Sequence, residues 1–180
     1  PNAGKSTLLA RISAARPKIA PYPFTTLVPQ LGIVRLRGER SCVVADIPGI
    51  IEGAHEGRGL GHQFLRHIER TRLLMHLVDL TSSGDGDPIL NFETVHRELR
   101  AYASELAEKP QVVVATKMDV PAAKLAWERF QPAMAARGLQ AIAISAVTGE
   151  GIGTLLDEID TALIPVRSVI QSNLFRERTL

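Results

Sequence analysis

Short runs of apolar, β-branched residues alternate along this chain with longer stretches whose apolar positions recur at helical spacing. The runs at residues 31–36, 41–46, 73–80, 111–116 and 140–145 predict strands. The stretches at residues 5–15, 61–72, 91–108, 122–136 and 152–163 predict helices. Such alternation predicts an α/β, three-layer architecture: a mostly parallel sheet covered on both faces. One pair breaks the rule, because only the polar turn Arg37-Gly38-Glu39-Arg40 separates the first two runs, so they form an antiparallel hairpin. There is no internal repeat; Ser82 to Pro88 reads as a loop, and from Pro165 onward the pattern is that of a linker. The expected organisation is one domain over residues 1–163 and a tail over 164–180.

With 180 residues, 45% of them hydrophobic, the chain can bury the core of one domain but not of two. No stretch approaches the ~20 consecutive apolar residues of a membrane helix, and the opening residues are not a signal peptide, so a cytoplasmic protein is expected. The single Cys42 lies in an apolar run and excludes a disulfide framework; it reads as a structural thiol. A net charge of +2 permits contact with RNA without arguing for it.

The chemistry begins at the first residue. Pro1-Asn2-Ala3-Gly4-Lys5-Ser6-Thr7 carries the end of a G-x-x-x-x-G-K-[ST] phosphate-binding loop, in which backbone N–H groups and a helix N-terminus surround phosphate. Gly4 allows close backbone approach, Lys5 neutralises β- and γ-phosphate charge, and Ser6 offers a hydroxyl to Mg2+. Alone, this match has about even odds of being a plain helix cap with a solvated lysine. Later motifs break the tie. Asp46-Ile47-Pro48-Gly49 ends a predicted strand, where Asp46 would hold Mg2+ through water and Gly49 would give its amide to the γ-phosphate. Between the two lies Tyr22-Pro23-Phe24-Thr25-Thr26, without periodicity, followed by Leu27 and Val28 as further candidate nucleotide contacts; a threonine hydroxyl there would complete the Mg2+ shell only while a γ-phosphate is present. Thr26 is the choice, although spacing does not separate it from Thr25. Lys5, Thr26 and Gly49 are therefore the candidate catalytic residues, and Ser6, Thr26 and Asp46 the candidate Mg2+ ligands. Further on, Thr116-Lys117-Met118-Asp119 ends another strand, and its carboxylate suits the N1–H and exocyclic amine of guanine, a donor pair adenine lacks. Ser145-Ala146-Val147 follows the last strand, with a backbone amide for the guanine oxygen.

Taken together with Tyr22 to Pro29, Asp46 to Ala54 and Gly59 to Arg70, these motifs resemble the Obg family of P-loop GTPases over residues 1–163. The block Phe64-Leu65-Arg66-His67-Ile68-Glu69-Arg70 discriminates, since the developmentally regulated GTP-binding proteins and the YchF-like proteins do not typically carry it. The resemblance implies GTP and GDP as ligands and Mg2+ as cofactor. It implies a role in assembly of the large ribosomal subunit, through rRNA and ribosomal proteins, with no DNA partner and no membrane span, as a monomer. Two positions depart from the family: Pro21 replaces an acidic residue, and Thr116 replaces the asparagine whose side-chain amide braces the phosphate loop. In the resembled fold, the strand entering the phosphate loop lies between the strands ending at Asp46 and Asp79, and it precedes Pro1. A sheet interrupted at its centre is expected, with the first strand missing.

Hydrolysis requires an aligned water, and Ile50 stands where many GTPases carry a glutamine. A hydrophobic side chain cannot orient that water, so slow intrinsic turnover is expected. Resemblance to other hydrophobic-substituted GTPases implies that K+ near Asn2, or a partner surface, supplies the missing charge. Glu52 is a solvated glutamate in a loop whose glycines allow a second switch. The five histidines lack metal-ligand spacing, and Trp127, Phe130 and Met134 recur at core spacing. A switch enzyme leads over a module that senses GTP against GDP; a metabolite kinase would have no use for Thr116 to Asp119.

Overall fold

The computed structural model describes residues 2–19, 30–46, 71–81, 86–102 and 108–164. In chain order these form α1 (Lys5–Ile12), β1 (Lys18–Ile19), β2 (Gln30–Arg35), β3 (Ser41–Asp46), β4 (Leu74–Asp79), α2 (Pro88–Tyr102), β5 (Gln111–Thr116), α3 (Pro121–Ala135), β6 (Ala141–Ala143) and α4 (Ile152–Leu163). The strands build two three-stranded sheets, β1-β2-β3 and β4-β5-β6. The first is antiparallel and contains the expected hairpin, with Arg35 opposite Ser41 and Gln30 opposite Asp46. The second is parallel, with Asp79 beside Thr116 and Ala115 beside Ala143. The strands expected to flank a gap, β3 and β4, are not paired with each other.

The side-chain alternation along β5 makes the layers. Val112 and Val114 point to one face, where Leu8 and Ile12 of α1, Val34 of β2, Ile142, and Leu155 and Ile159 of α4 are buried. Val113 and Ala115 point to the other, among Val78, Phe92 of α2, and Ala123, Phe130 and Met134 of α3. Trp127 packs at the edge of this second cluster, so the expected core triplet is a core element. A buried valine contributes about 1.5–3 kcal/mol, which places much of the driving force in β5.

Two helix ends and one short strand depart most from the sequence pattern, for identifiable reasons. Helix α1 stops at Ile12 rather than 15, because Ser13 turns to extended backbone, bridges Val34, and lets Ala14 N–H donate to Ile33 O at 2.7 Å. Helix α2 begins at Pro88, before the expected residue 91. Asp87 accepts from Ile89 N–H at 2.9 Å, and Pro88 occupies a first-turn position whose N–H has no helical partner anyway. Strand β1 was not expected, since two residues carry no readable periodicity. The expected helix at 61–72 lies almost wholly outside the described residues, as does most of the tail from 164 onward.

Candidate functional site

The phosphate-loop end turns on two left-handed residues, Asn2 at φ 56° and Gly4 at φ 84°. Gly4 caps α1 and no side-chain oxygen closes the helix, so its first-turn amides are available to an anion. Lys5 is half-buried, and Ser6 and Thr7 are exposed on that first turn. The Ser6 hydroxyl donates to Asp46 Oδ2, forty residues away at the end of β3. The other carboxylate oxygen, Oδ1, is buried and has no partner among the described residues.

That donor set fits Mg2+. The ion takes hard oxygen ligands and keeps several waters, binding through one or two protein groups together with substrate phosphate. No group of three or more His, Cys, Asp or Glu side chains comes together among the described residues. Pro1, Phe24, Thr25, Thr26, Leu27, Val28, Ile47, Pro48 and Gly49, together with Ile50 and Glu52, lie outside the described residues.

At the carboxyl ends of β5 and β6 a second cluster is built around one serine. The Ser145 hydroxyl, fully buried, donates to Asp119 Oδ1 at 2.6 Å and accepts from Thr148 N–H at 3.1 Å. Its backbone is held as well, through Gly149 N–H to Ser145 O at 2.9 Å and Ser145 N–H to Glu150 O at 3.0 Å. Asp119 is exposed, with one oxygen oriented by the serine. Ala146 is half-buried beside it, and Val147 is exposed. Met118 N–H donates to Ile144 O at 3.1 Å, while its side chain is buried in the core, so only its backbone faces this cluster. Gly151 closes the loop at φ 73° against Ala143 O, a position with no room for a side chain.

Sequence reasoning passed over two contributors, Asp79 and Arg11. Asp79, at the end of β4, accepts from Lys117 Nζ at 2.6 Å, from Thr81 N–H at 2.8 Å and from the Thr81 hydroxyl at 2.7 Å. Burial opposes its ionisation, but those three donors outweigh it and hold the carboxyl below its ordinary value. Its place at the end of a strand beside that of Thr116 was the available signal. Arg11 of α1 donates to Thr148 O at 3.3 Å, so one helix touches both halves of the site. Its 137-residue separation from Thr148 left no local signal. Of the histidines, His76 and His96 each stack on Phe92, with ring centroids 4.7 and 5.7 Å away, and form no part of the site.

The family model of 50S ribosome-binding GTPases matches residues 1–117. GTPase Obg of Anaeromyxobacter sp. (strain Fw109-5) is 58% identical over 166 residues, which cover 91% of this chain and 47% of that protein. GTPase Obg of Solibacter usitatus (strain Ellin6076) is 57% identical over 167 residues, covering 92% of this chain and 50% of that protein. The chain thus spans about half the length of these curated relatives. Among solved structures, the G domain of the T. maritima FeoB iron transporter superposes with a TM-score of 0.66 at 20% identity, covering 90% of this chain and 92% of that one; this likeness bears on the fold alone.

Proposed function

The chain belongs to the Obg family of GTPases, within the 50S ribosome-binding GTPases, and on that premise we propose that it is a guanine-nucleotide switch that hydrolyses GTP slowly in large-subunit assembly. One observation carries the nucleotide assignment: α1 meets the Ser6–Asp46 pair at its first turn and, through Arg11, the loop that orients Asp119. A phosphate group at the α1 N-terminus and a purine at Asp119 are the two ends of one ligand. Ser6, Thr26 and Asp46 would hold Mg2+, which would supply charge neutralisation to the phosphates. Lys5 adds positive charge there, the first-turn amides orient phosphate oxygens, and Asp119 selects guanine by accepting from two donors adenine does not present together.

The reaction has Lys5, Thr26 and Gly49 around the γ-phosphate, with Ser6, Thr26 and Asp46 toward the metal. The segments of Thr26 and Gly49 act as the two switches, presenting one surface to rRNA and ribosomal proteins with GTP and another with GDP. The protein works in the cytoplasm as a monomer. Ile50, in place of a water-orienting glutamine, supports slow turnover and favours a second reading, a sensor of the GTP to GDP ratio with incidental hydrolysis. Single-turnover rates with and without large ribosomal subunits separate the two: stimulation supports the switch enzyme, and indifference supports the sensor. If K+ near Asn2 supplies transition-state charge, replacing Na+ by K+ raises turnover, and equal rates in both remove that role. The nucleotide assignment is tested by calorimetry of GTP, GDP and ATP with Mg2+ on the full-length protein and on Asp119→Asn. Guanine-selective binding lost in the variant is expected; preference for ATP would overturn the assignment.

A further inference from the structure

Two consecutive side chains tie the guanine-facing segment to the end of β4. The Thr116 hydroxyl donates to Val78 O at 3.2 Å, and Lys117 Nζ donates to Asp79 Oδ2 at 2.6 Å. The parallel register makes this possible, because Val78 lies beside Ala115 and Asp79 beside Thr116. Lys117 then leaves the strand at φ 62°, a left-handed conformation that costs a non-glycine residue about 1 kcal/mol, and its side chain returns to β4.

The carboxylate is well fixed. Asp79 Oδ1 takes the Thr81 N–H and hydroxyl, leaving Oδ2 for the ammonium, and the Asp79 side chain is only 16% exposed. In the resembled family an asparagine at position 116 braces the phosphate loop. Here Thr116 is buried and its hydroxyl goes to Val78; among the described residues no bond joins it to residues 2–7.

We propose that Asp79 is a positioning residue for guanine-nucleotide binding: by holding Lys117 it sets the 116–119 turn, and with it Asp119, bracing from β4 the segment that an asparagine at position 116 would tie to the phosphate loop. The inference rests on the guanine-nucleotide reading above. Lys117 held over one carboxylate presents its stem and charge at the nucleotide in a single orientation, whereas an unpaired lysine samples many rotamers and loses that freedom on binding.

The test uses the full-length protein with a fluorescent GDP analogue, comparing wild type, Asp79→Asn, Thr116→Asn and the double variant. Asp79→Asn keeps the shape and removes the charge. It is expected to speed GDP release about tenfold while guanine remains preferred over adenine. Thr116→Asn, by restoring the other brace, is expected to recover most of that loss in the double variant, and to change release much less in the wild-type background. A purely structural role for Asp79 would leave the two substitutions additive. Additive effects, or an unchanged release rate in Asp79→Asn, overturn the proposal. Should Asp79→Asn fail to fold, Thr81→Val decides, because it withdraws one donor that orients the same carboxylate; two- to threefold faster release supports the proposal and wild-type release overturns it. Wild-type protein that binds no GDP would sink the guanine-nucleotide reading itself, and the role of Asp79 with it, a result distinct from failure of the variants alone.

Discussion

Ser145 shows how much a single hydroxyl decides, since it orients Asp119 and fixes the turn at Thr148 while fully buried. A hydrogen bond to a charged group is worth about 1.5–3 kcal/mol, so Ser145→Ala should weaken GDP binding by tenfold or more. Calorimetry with Mg2+ checks this, and wild-type affinity would detach the serine from recognition. His76 is the other decisive residue. Burial first, and the neighbouring His96 second, lower its pKa from 6.5 to about 4, and its Nδ1 has no partner among the described residues. The folded state therefore keeps it neutral where the unfolded state takes up a proton. The stability from this burial is complete above about 6.5, and it is lost as pH falls toward 4. At about 1.4 kcal/mol per unit, the loss reaches roughly 3 kcal/mol. His76→Phe should flatten the fall in urea midpoint across that window; an unchanged slope would show that other groups carry it. Asp46, Asp119 and Ser145 were legible because strand-ending polar residues after apolar runs stand out. His76 was not, because nothing local tells a buried imidazole from a surface one.

Elements with strong contrast between apolar and polar positions were read at their true bounds: β3, β5 and α4 coincide with residues 41–46, 111–116 and 152–163. Ends set by long-range partners were not. Helix α1 gives way where β2 captures Ser13 and Ala14, and β6 ends at Ala143 as the chain turns to hold residues 118 and 145–151. The start of α4 is the tightest of these junctions. Gly151 sits at φ 73°, and an added Cβ would lie 2.1 Å from Ala143 O, a backbone atom that cannot swing away. Gly151→Ala should cost upwards of about 2 kcal/mol and loosen the Ser145 loop. Thermal unfolding combined with GDP titration measures both effects; an unaffected melting point would mean that the junction relaxes freely.

The two sheets are separate ladders with a common core, because Val34 of β2 is buried in the same cluster as Val114, Ile142 and Leu155. They should therefore unfold as one unit. Leu155→Ala is expected to cost about 2–5 kcal/mol and to raise amide exchange in β2 and β5 together. Exchange rising in one sheet alone would show two independent units. Of the two ion pairs between the hairpin and α4, Arg37–Asp157 at 2.6 Å is well exposed and adds little, whereas Arg40–Asp160 at 2.5 Å has its carboxylate buried. By itself the sequence determined the α/β layers and the antiparallel hairpin, because hydrophobic period and turn chemistry are local properties. Only the tertiary structure decided that Asp79 clamps Lys117, that Arg11 reaches Thr148 and that Thr116 turns to β4. Those contacts join residues 38 and 137 positions apart, and they exist only once parallel strands are in register and α1 lies across them.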